Sequence, residues 1–161
     1  MINKDFELII HKGSNINYEK DFRVFTGHQN IFLGSNIYLV DALINAGDTL
    51  GKVTIEDYVF FGHGVKILAR SHNYNVFDEK RQQEILEKPI HIKQGAWISS
   101  GSIVLSGVVI GKNAVVAAGS VVTKDIPDNA LFAGNPAKFV KYVHRKLTLF
   151  EAVKKFMNFK I

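Results

Sequence analysis

The chain has 161 residues, of which 47% are hydrophobic, and carries a formal net charge of +5. This length and apolar content predict one folded domain, residues 1–161, with a sizeable core, and argue against intrinsic disorder. The absence of cysteine excludes a disulfide framework, a thiolate zinc site and a cysteine nucleophile. The N-terminus lacks a signal-peptide hydrophobic segment, and no apolar run approaches the ~18 residues of a spanning helix, so we expect a cytoplasmic protein.

The excess of positive charge favours polyanionic partners, namely nucleic acid, an anionic membrane or a phosphorylated small molecule. A lysine-rich surface that only keeps the protein in solution explains the same charge. The sequence contains no zinc finger, RNP-type aromatic motif or helix-turn-helix pattern, so we expect no nucleic-acid partner.

Residues 1–32 are the least regular part of the chain and are predicted to form an N-terminal cap. Residues 6–10 and 22–25 have the composition of short strands, and the turn-prone residues 12–17 lie between them. Terminal repeats of repeat proteins are commonly atypical, so this segment could be an imperfect first coil.

Residues 33–126 repeat with a period of six. In the second half an aliphatic residue occupies every sixth position: Ile92, Ile98, Val104, Ile110, Val116 and Val122. A second register of small or β-branched residues follows four positions later: Ala96, Ser102, Val108, Ala114, Ser120 and Ile126. This period is typical of a parallel β-helix, in which short strands and tight turns wind a coil and each coil buries its inward residues against the next.

The first half of the repeat is less regular. Leu33 and Leu39 are six residues apart, with Leu43 in the second register, and the pattern resumes at Thr49 and continues through Ile55. Ten residues rather than twelve separate Leu39 from Thr49, so we expect an irregular excursion at residues 44–51 to absorb the difference.

Residues 68–91 interrupt the repeat with an inserted loop that begins Arg70-Ser71-His72-Asn73-Tyr74. A long insertion in a repeat scaffold is a common place for chemistry, because the stacked coils hold its ends while the loop carries functional side chains. An ornamental surface loop is the alternative.

Residues 127–161 are predicted to form a turn and a short C-terminal helix. In the tail that starts at Lys138, apolar residues recur at helical spacing, with lysines on the other side: Val143, Leu147, Phe150, Val153 and Met157. We expect this stripe to pack on the domain or on a neighbouring subunit. A weak association with a membrane surface is the alternative, supported by the lysines and by Phe156 and Phe159.

Three segments, residues 92–104, 111–127 and 133–138, closely resemble the hexapeptide-repeat acyltransferases. The resemblance includes Thr-Lys-Asp at 123–125 and Gly-Asn-Pro-Ala at 134–137, and it extends over roughly residues 33–142. The most similar group is the maltose, galactoside and polysaccharide O-acetyltransferases, with the related xenobiotic acetyltransferases. The resemblance implies an all-β fold, a left-handed parallel β-helix, assembled as a homotrimer with active sites between subunits. It also implies acetyl-CoA as the acyl donor and no required metal.

Transfer of an acetyl group from a thioester to a hydroxyl needs a base, a hydrogen-bond donor for the oxyanion, and contact between the two substrates. His72 is the candidate base, because its Ser-His context resembles the family's catalytic histidine and histidine titrates near neutral pH. Ser100 matches the family residue whose backbone amide contacts the thioester, so it is the candidate oxyanion donor. His63, between two glycines of a coil, could face the same cleft.

The resemblance also assigns cofactor and acceptor positions. Those for acetyl-CoA are Trp97, Ser100, Ala118, Thr123 and Lys124, with Lys138 and Lys141 near the 3′-phosphate, where a lysine supplies a point charge. For the acceptor the resemblance gives Trp97. We add Asn45 and Asp48 in the irregular excursion and Tyr74 in the inserted loop, because short polar side chains there could hydrogen-bond sugar hydroxyls. Asn and Asp are also ordinary turn residues, and a tryptophan at 97 could instead be a buried strand aromatic.

The sequence departs from the family at four positions where a glycine often stands: Glu56, Lys93, Ser99 and Ala117. The N-terminal helical extension of the sugar acetyltransferases is missing, which favours a surface-polysaccharide precursor as the acceptor. We therefore hypothesise an acetyl-CoA-dependent O-acetyltransferase acting on a sugar hydroxyl. The alternatives are N-acetylation of an amino sugar, a γ-carbonic-anhydrase-like enzyme with zinc on three histidines between subunits, and a non-enzymatic β-helix scaffold.

Overall fold

The computed structural model describes residues 3–143. This part of the chain contains two α-helices, α1 (Lys4–Leu8) and α2 (Asp78–Gln83), and a 3₁₀ helix at His28–Asn30. Its strands are β1 (His11–Lys12), β2 (Ile16–Tyr18), β3 (Arg23–Thr26), β4 (Ile31–Leu33), β5 (Ile37–Val40), β6 (Leu43–Asn45), β7 (Val53–Ile55), β8 (Phe60–Phe61), β9 (Lys66–Leu68), β10 (Arg70–His72), β11 (Ile85–Glu87), β12 (Ile90–Ile92), β13 (Trp97–Ile98), β14 (Ile103–Leu105), β15 (Val109–Ile110), β16 (Val115–Val116), β17 (Val121–Val122), β18 (Ala130–Ala133) and β19 (Lys138–Tyr142).

The strands form three parallel sheets, and successive strands of a coil lie in different sheets. The first sheet has the order β1-β4-β7-β12-β15, the second β2-β5-β8-β13-β16-β18, and the third β3-β6-β9-β14-β17. Each strand therefore pairs with its counterparts in the coils above and below, as Thr54 does with Phe32 and His91. The chain turns at three corners, which we name by the sheets they join: first–second, second–third and third–first.

The inward side chains confirm the hexapeptide registers predicted for the second half. Ile98 and Val104 are fully buried, and every other member of the two registers is at most 2% exposed. Two of these buried residues are serines, and the hydroxyl oxygen of each takes part in a hydrogen bond inside the core. The Ser102 hydroxyl donates to the Ala117 carbonyl (2.9 Å), and Ser120 Oγ accepts a hydrogen bond from the Gly134 N–H (3.1 Å).

The register slips earlier than the sequence predicts. Ala42 and Ile44 are fully buried, whereas Leu43 lies outward between them and Thr49 is exposed. The prediction that Leu43 and Thr49 continue the inward registers is therefore wrong. The turn from Leu39 to Ala42 is one residue shorter than the corresponding turns of later coils, and it passes through Val40, whose backbone is left-handed (φ 53°) and where the β2–β5 pairing shifts register.

The N-terminal segment contains a complete first coil. Strands β1, β2 and β3 pair with β4, β5 and β6 respectively, which confirms that a first coil precedes residue 33. The prediction of a strand at residues 6–10 is wrong, because Lys4–Leu8 form α1 with Asn3 as its N-cap. The Phe6 ring stacks on Tyr18 (4.0 Å between centroids) and meets the edge of Phe22, so the helix packs against the first coil.

The last described residues form a hairpin. β18 continues the second sheet in parallel with β16, and β19 returns antiparallel to β18. The prediction of a helical tail is therefore wrong for residues 138–142, and its apolar stripe from Leu147 onward lies outside the described residues. Among the helices of residues 3–143, none is long and apolar enough to cross a membrane.

The inserted segment leaves the coil at the third–first corner, between β9 and β12. It forms an antiparallel hairpin of β10 and β11, with α2 between the two strands. Leu68 still belongs to β9, and Ile90 and His91 already belong to β12, so the insertion is shorter than residues 68–91. Its two ends meet where the Lys88 N–H donates to the Ala69 carbonyl (3.0 Å).

Candidate active site

A cleft of about 490 Å³ lies between the inserted hairpin and the third sheet. His72 ends β10 opposite Ile85, and its exposed side chain lines this cleft. The other lining residues come from the third sheet, the hairpin and α2: Phe25, Thr26, Asn45, Arg70, Ser71, Gln82, Gln83 and Ile85. The structure thus brings the predicted base together with Asn45, one of the predicted acceptor residues.

Thr26 and Asn45 lie side by side on the third sheet and form the floor of the cleft. The Thr26 hydroxyl lies 2.9 Å from Asn45 Oδ1 and 2.5 Å from the Ala46 carbonyl oxygen. Arg70 Nη1 donates to the same hydroxyl (3.5 Å). These bonds orient the Asn45 amide, so a polar group of fixed direction faces the space beside His72.

Asp48 and Tyr74 do not line the cleft. Asp48 Oδ2 accepts a hydrogen bond from Arg70 Nη1 at 3.0 Å, so this carboxylate reaches the cleft only through Arg70. The Tyr74 side chain is 77% exposed on the inserted segment.

Glu87 is a residue of this region that sequence reasoning does not single out. It lies in β11 opposite Arg70, and its side chain is only 9% exposed. Its carboxylate accepts five hydrogen bonds from residues 48–51. Burial opposes ionisation of this carboxyl, but the bonds from Thr49, Leu50 and Asp48 outweigh it and lower the pKa to about 2. In the sequence Glu87 belongs to a charged run that resembles solvated surface.

The predicted cofactor residues Ser100 and Ala118 lie at the second–third corner. They occupy successive coils, where the Gly119 N–H donates to the Ser100 carbonyl (2.9 Å). A Cβ at Gly62, one coil below, would collide with Ser100, so the backbone approaches closely there. Trp97 lies on the outer face of the second sheet, 42% exposed and stacked on Phe60 (5.3 Å), so it is not a buried strand aromatic.

The predicted lysines lie in two places. Thr123 and Lys124 follow β17 at the third–first corner, where both are exposed. Lys138 and Lys141 are exposed on β19, at the edge of the second sheet. The four residues therefore come from two separate parts of the fold and do not form one compact phosphate site.

The two predicted catalytic residues lie at different corners of one chain. The hairpin that carries His72 emerges at the third–first corner, whereas Ser100 lies between β13 and β14 at the second–third corner. His63 is also at the second–third corner, with its Nε2 3.4 Å from Glu19, and it does not line the cleft. Within residues 3–143 no three histidine, aspartate or glutamate side chains are grouped so that they could hold a metal ion.

Known protein families match this chain at the level of sequence. The family model described as "Bacterial transferase hexapeptide (six repeats)" matches residues 89–124. The galactoside O-acetyltransferase of Lactococcus lactis is 37% identical over 124 residues, which are 77% of this chain and 58% of that protein. The chain therefore spans somewhat more than half the length of this curated relative.

The matches to solved structures cover a larger share of the matched chain than the match to the galactoside O-acetyltransferase does. A maltose O-acetyltransferase from Clostridium difficile is 31% identical, with a TM-score of 0.75, and the match covers 90% of this chain and 80% of that one. A hexapeptide-repeat acetyltransferase from Vibrio cholerae, complexed with acetyl coenzyme A, is 26% identical with a TM-score of 0.70, over 88% and 75% of the two chains. These likenesses identify the coil described above as a left-handed parallel β-helix. The chain belongs to the hexapeptide-repeat acyltransferase family.

Proposed function

We propose that this chain is an acetyl-CoA-dependent O-acetyltransferase that acts on a sugar hydroxyl, in a precursor of a surface polysaccharide. The observation that carries the proposal is the cleft in which His72 lies beside Asn45 and Thr26 at the inserted hairpin. The relatives support the reaction class, since they include galactoside and maltose O-acetyltransferases and a protein complexed with acetyl coenzyme A.

The chemistry of the cleft suits a neutral carbohydrate. Its lining combines an exposed aromatic ring, Phe25 (72% exposed), with the side-chain amides of Asn45, Gln82 and Gln83 and the hydroxyl of Ser71. The Arg70 guanidinium also lines the cleft, and its charge is paired with the Asp48 carboxylate (3.0 Å). A ring covers the apolar face of a sugar, and amides and hydroxyls exchange hydrogen bonds with its hydroxyl groups. No aspartate or glutamate is among the described residues that line the cleft, whereas a protonated amino sugar would call for one. This favours a hydroxyl over an amine as the acceptor.

The proposed reaction uses one base and one oxyanion donor. A ring nitrogen of His72 removes the proton of the acceptor hydroxyl as its oxygen attacks the thioester carbonyl carbon. The carbonyl oxygen becomes an oxyanion, which accepts a hydrogen bond from the Ser100 backbone N–H. The intermediate collapses by breaking the carbon–sulfur bond, and the departing thiolate takes the proton from His72. The acetyl ester and the free thiol of CoA are the products.

This arrangement requires two copies of the chain. His72 and Ser100 lie at different corners of the coil, so one thioester cannot reach both within a single copy. The third–first corner of one subunit would face the second–third corner of the next, and repeating that contact around a threefold axis gives a homotrimer. Trp97 and Ala118 would then form the cofactor wall opposite His72, with Lys124, Lys138 and Lys141 toward the nucleotide.

The test is an acceptor screen with acetyl-CoA labelled in the acetyl group, followed by mass spectrometry of the product. We expect an O-acetylated sugar, and we expect His72→Ala to lower kcat by roughly 10² to 10⁴ with little change in acetyl-CoA affinity. His11→Ala is the matched control, because His11 is an exposed histidine stacked on Phe32 in the first sheet.

Three outcomes would contradict parts of the proposal. Near-normal turnover of His72→Ala would show that the base is another group, and exclusive labelling of amino groups would favour N-acetylation. No detectable binding of millimolar acetyl-CoA in calorimetry would favour a non-enzymatic scaffold.

A further inference from the structure

We propose that Glu87 is a positioning residue that fixes the inserted hairpin, and with it His72, against the loop formed by residues 46–51. The inference rests on the proposed function for its kinetic consequence. The contact that it describes is independent of any activity.

The Glu87 carboxylate is the centre of a set of converging N–H and O–H donors. Oε2 accepts hydrogen bonds from the Thr49 N–H (3.0 Å) and hydroxyl (2.8 Å), the Leu50 N–H (2.7 Å) and the Gly51 N–H (3.2 Å). Oε1 accepts from the Asp48 N–H (3.0 Å). Four consecutive peptide groups of the loop thus point at one side chain of the hairpin, and hydrogen bonds to an ionised acceptor are stronger than neutral ones.

The loop has the residues that this close approach needs. A Cβ added to Gly47 would collide with the Glu87 carboxylate, and one added to Gly51 would collide with the backbone of Gly47. Two glycines therefore let the backbone fold around the carboxylate. Asn30 Nδ2 donates to the Gly47 carbonyl (2.7 Å), which ties the other side of the loop to the first coil.

Arg70 connects this anchor to the cleft. It lies opposite Glu87 in the β10–β11 pairing, with its Nε 4.0 Å from Glu87 Oε1. Its Nη1 bridges Asp48 Oδ2 (3.0 Å) and Thr26 Oγ1 (3.5 Å), and Thr26 in turn contacts Asn45. His72 is two residues beyond Arg70 on the same strand. A shift of the hairpin relative to the loop would therefore move the base and disturb the floor of the cleft together.

The test compares Glu87→Gln with wild type by steady-state kinetics and by hydrogen exchange. Gln keeps the shape of Glu but turns one acceptor oxygen into a donor that faces N–H groups. We expect kcat/KM for the acceptor to fall roughly 10- to 100-fold, as for a displacement of about 1 Å at a catalytic group. The KM for acetyl-CoA should stay within about twofold, because Ser100 and Ala118 lie at the second–third corner, away from the Glu87 contact. Hydrogen exchange should accelerate in residues 46–51 and in the hairpin, and stay unchanged in residues 92–126.

Two further variants keep the test decisive if Glu87→Gln folds poorly. Glu87→Asp keeps the charge on a shorter side chain and should restore part of the lost kcat/KM. Thr49→Val removes one hydroxyl donor and should lower kcat/KM in the same direction by a smaller factor. Glu7→Gln is the control, since the Glu7 side chain is exposed on α1 and does not line the cleft, so this variant should behave as wild type.

The proposal is overturned if Glu87→Gln keeps kcat/KM for the acceptor within about twofold of wild type, or if it loses activity through the acetyl-CoA KM alone. If the wild-type chain transfers no acetyl group to any acceptor, the proposed function fails instead. Hydrogen exchange then tests separately whether Glu87 holds the hairpin against the loop. Unchanged exchange of residues 46–51 in Glu87→Gln would then overturn it.

Discussion

Val40 has a backbone conformation that a β-branched residue rarely adopts. Its φ of 53° lies in the left-handed region, where the Cβ crowds the following carbonyl oxygen. Asparagines take this conformation at other turns of the coil, with φ of 54° at Asn15, 58° at Asn36 and 53° at Asn113. An asparagine tolerates it because its short polar side chain bonds locally. The β-branched side chain of Val40 is thus poorly suited to the left-handed backbone that the turn requires.

Replacing Val40 with asparagine should stabilise the fold. We expect Val40→Asn to raise the free energy of unfolding by about 0.5–1 kcal/mol, since the strain relieved exceeds the packing lost by a half-buried side chain. Urea denaturation of the two proteins measures the difference. Val121→Asn is the control, because Val121 is also half-buried but lies in β17 with ordinary extended backbone, and it should show no gain. A loss of stability in Val40→Asn would mean that side-chain packing dominates at this corner.

The sequence reveals which residues point inward well where the repeat is regular, and poorly where a turn is one residue shorter. The buried residues from Ile92 to Ile126 can be predicted from the period of six alone, because every inward position of the coil has the same environment. Leu43 was misplaced because the period does not show that Val40 turns left-handed. His72 could be chosen from its Ser-His context, but Glu87 could not, since its partners are backbone N–H groups that leave no pattern in side chains.

At the scale of elements, the hairpin and the loop of residues 46–51 are held together by a carboxylate whose ionisation depends on the fold. The pKa of Glu87 is about 2 in the folded chain and 4.5 ordinarily. A carboxyl with a lowered pKa binds its proton less readily in the folded state than in the unfolded one. Its stabilisation is therefore complete above about pH 4.5 and is lost as the pH falls toward 2. The difference between the two pKa values corresponds to a contribution of roughly 3 kcal/mol to the free energy of unfolding.

The pH dependence of stability should report this anchor. We expect the gap in unfolding free energy between wild type and Glu87→Gln to be constant above about pH 5 and to shrink by roughly 3 kcal/mol toward pH 2. Urea denaturation at several pH values measures it. Glu79→Gln should follow wild type throughout, because that carboxylate is exposed. A gap that does not change with pH would show that the charge of Glu87 contributes nothing, and that only its shape matters.

The elements themselves follow from the sequence to different extents. The insertion was located by the loss of the period, although its strands β10 and β11 pair only with each other and so obey no repeat. A short apolar run such as residues 6–10 fits a strand or a helix, and here Asn3 decides the outcome by capping α1. The β18–β19 hairpin is not predicted, because residues 138–142 are two lysines, two aromatic residues and a valine that are all exposed at a sheet edge and follow no repeat.

At the scale of the whole molecule, the proposed trimer predicts that two inactive variants complement each other. His72→Ala removes the base, and Ala118→Trp fills the proposed cofactor wall. Co-expressed in equal amounts, they should form mixed trimers in which about one quarter of the sites combine an intact His72 with an intact wall. Activity near one quarter of wild type, in a particle of about 54 kDa from three chains of 18.0 kDa, is the expected result. No recovery of activity would place the whole site within one chain.

A hydrogen bond from the Lys88 N–H to the Ala69 carbonyl joins the ends of the inserted hairpin. The coil continues across that junction, so the scaffold does not depend on the length of the segment between them. Doubling a flexible loop costs only about 0.6 kcal/mol of closure entropy. Acceptor preference could therefore diversify during evolution by exchange of this segment, at little thermodynamic cost to the scaffold. The Glu87 anchor limits that freedom, since a transplanted hairpin would need to carry residues 46–51 with it.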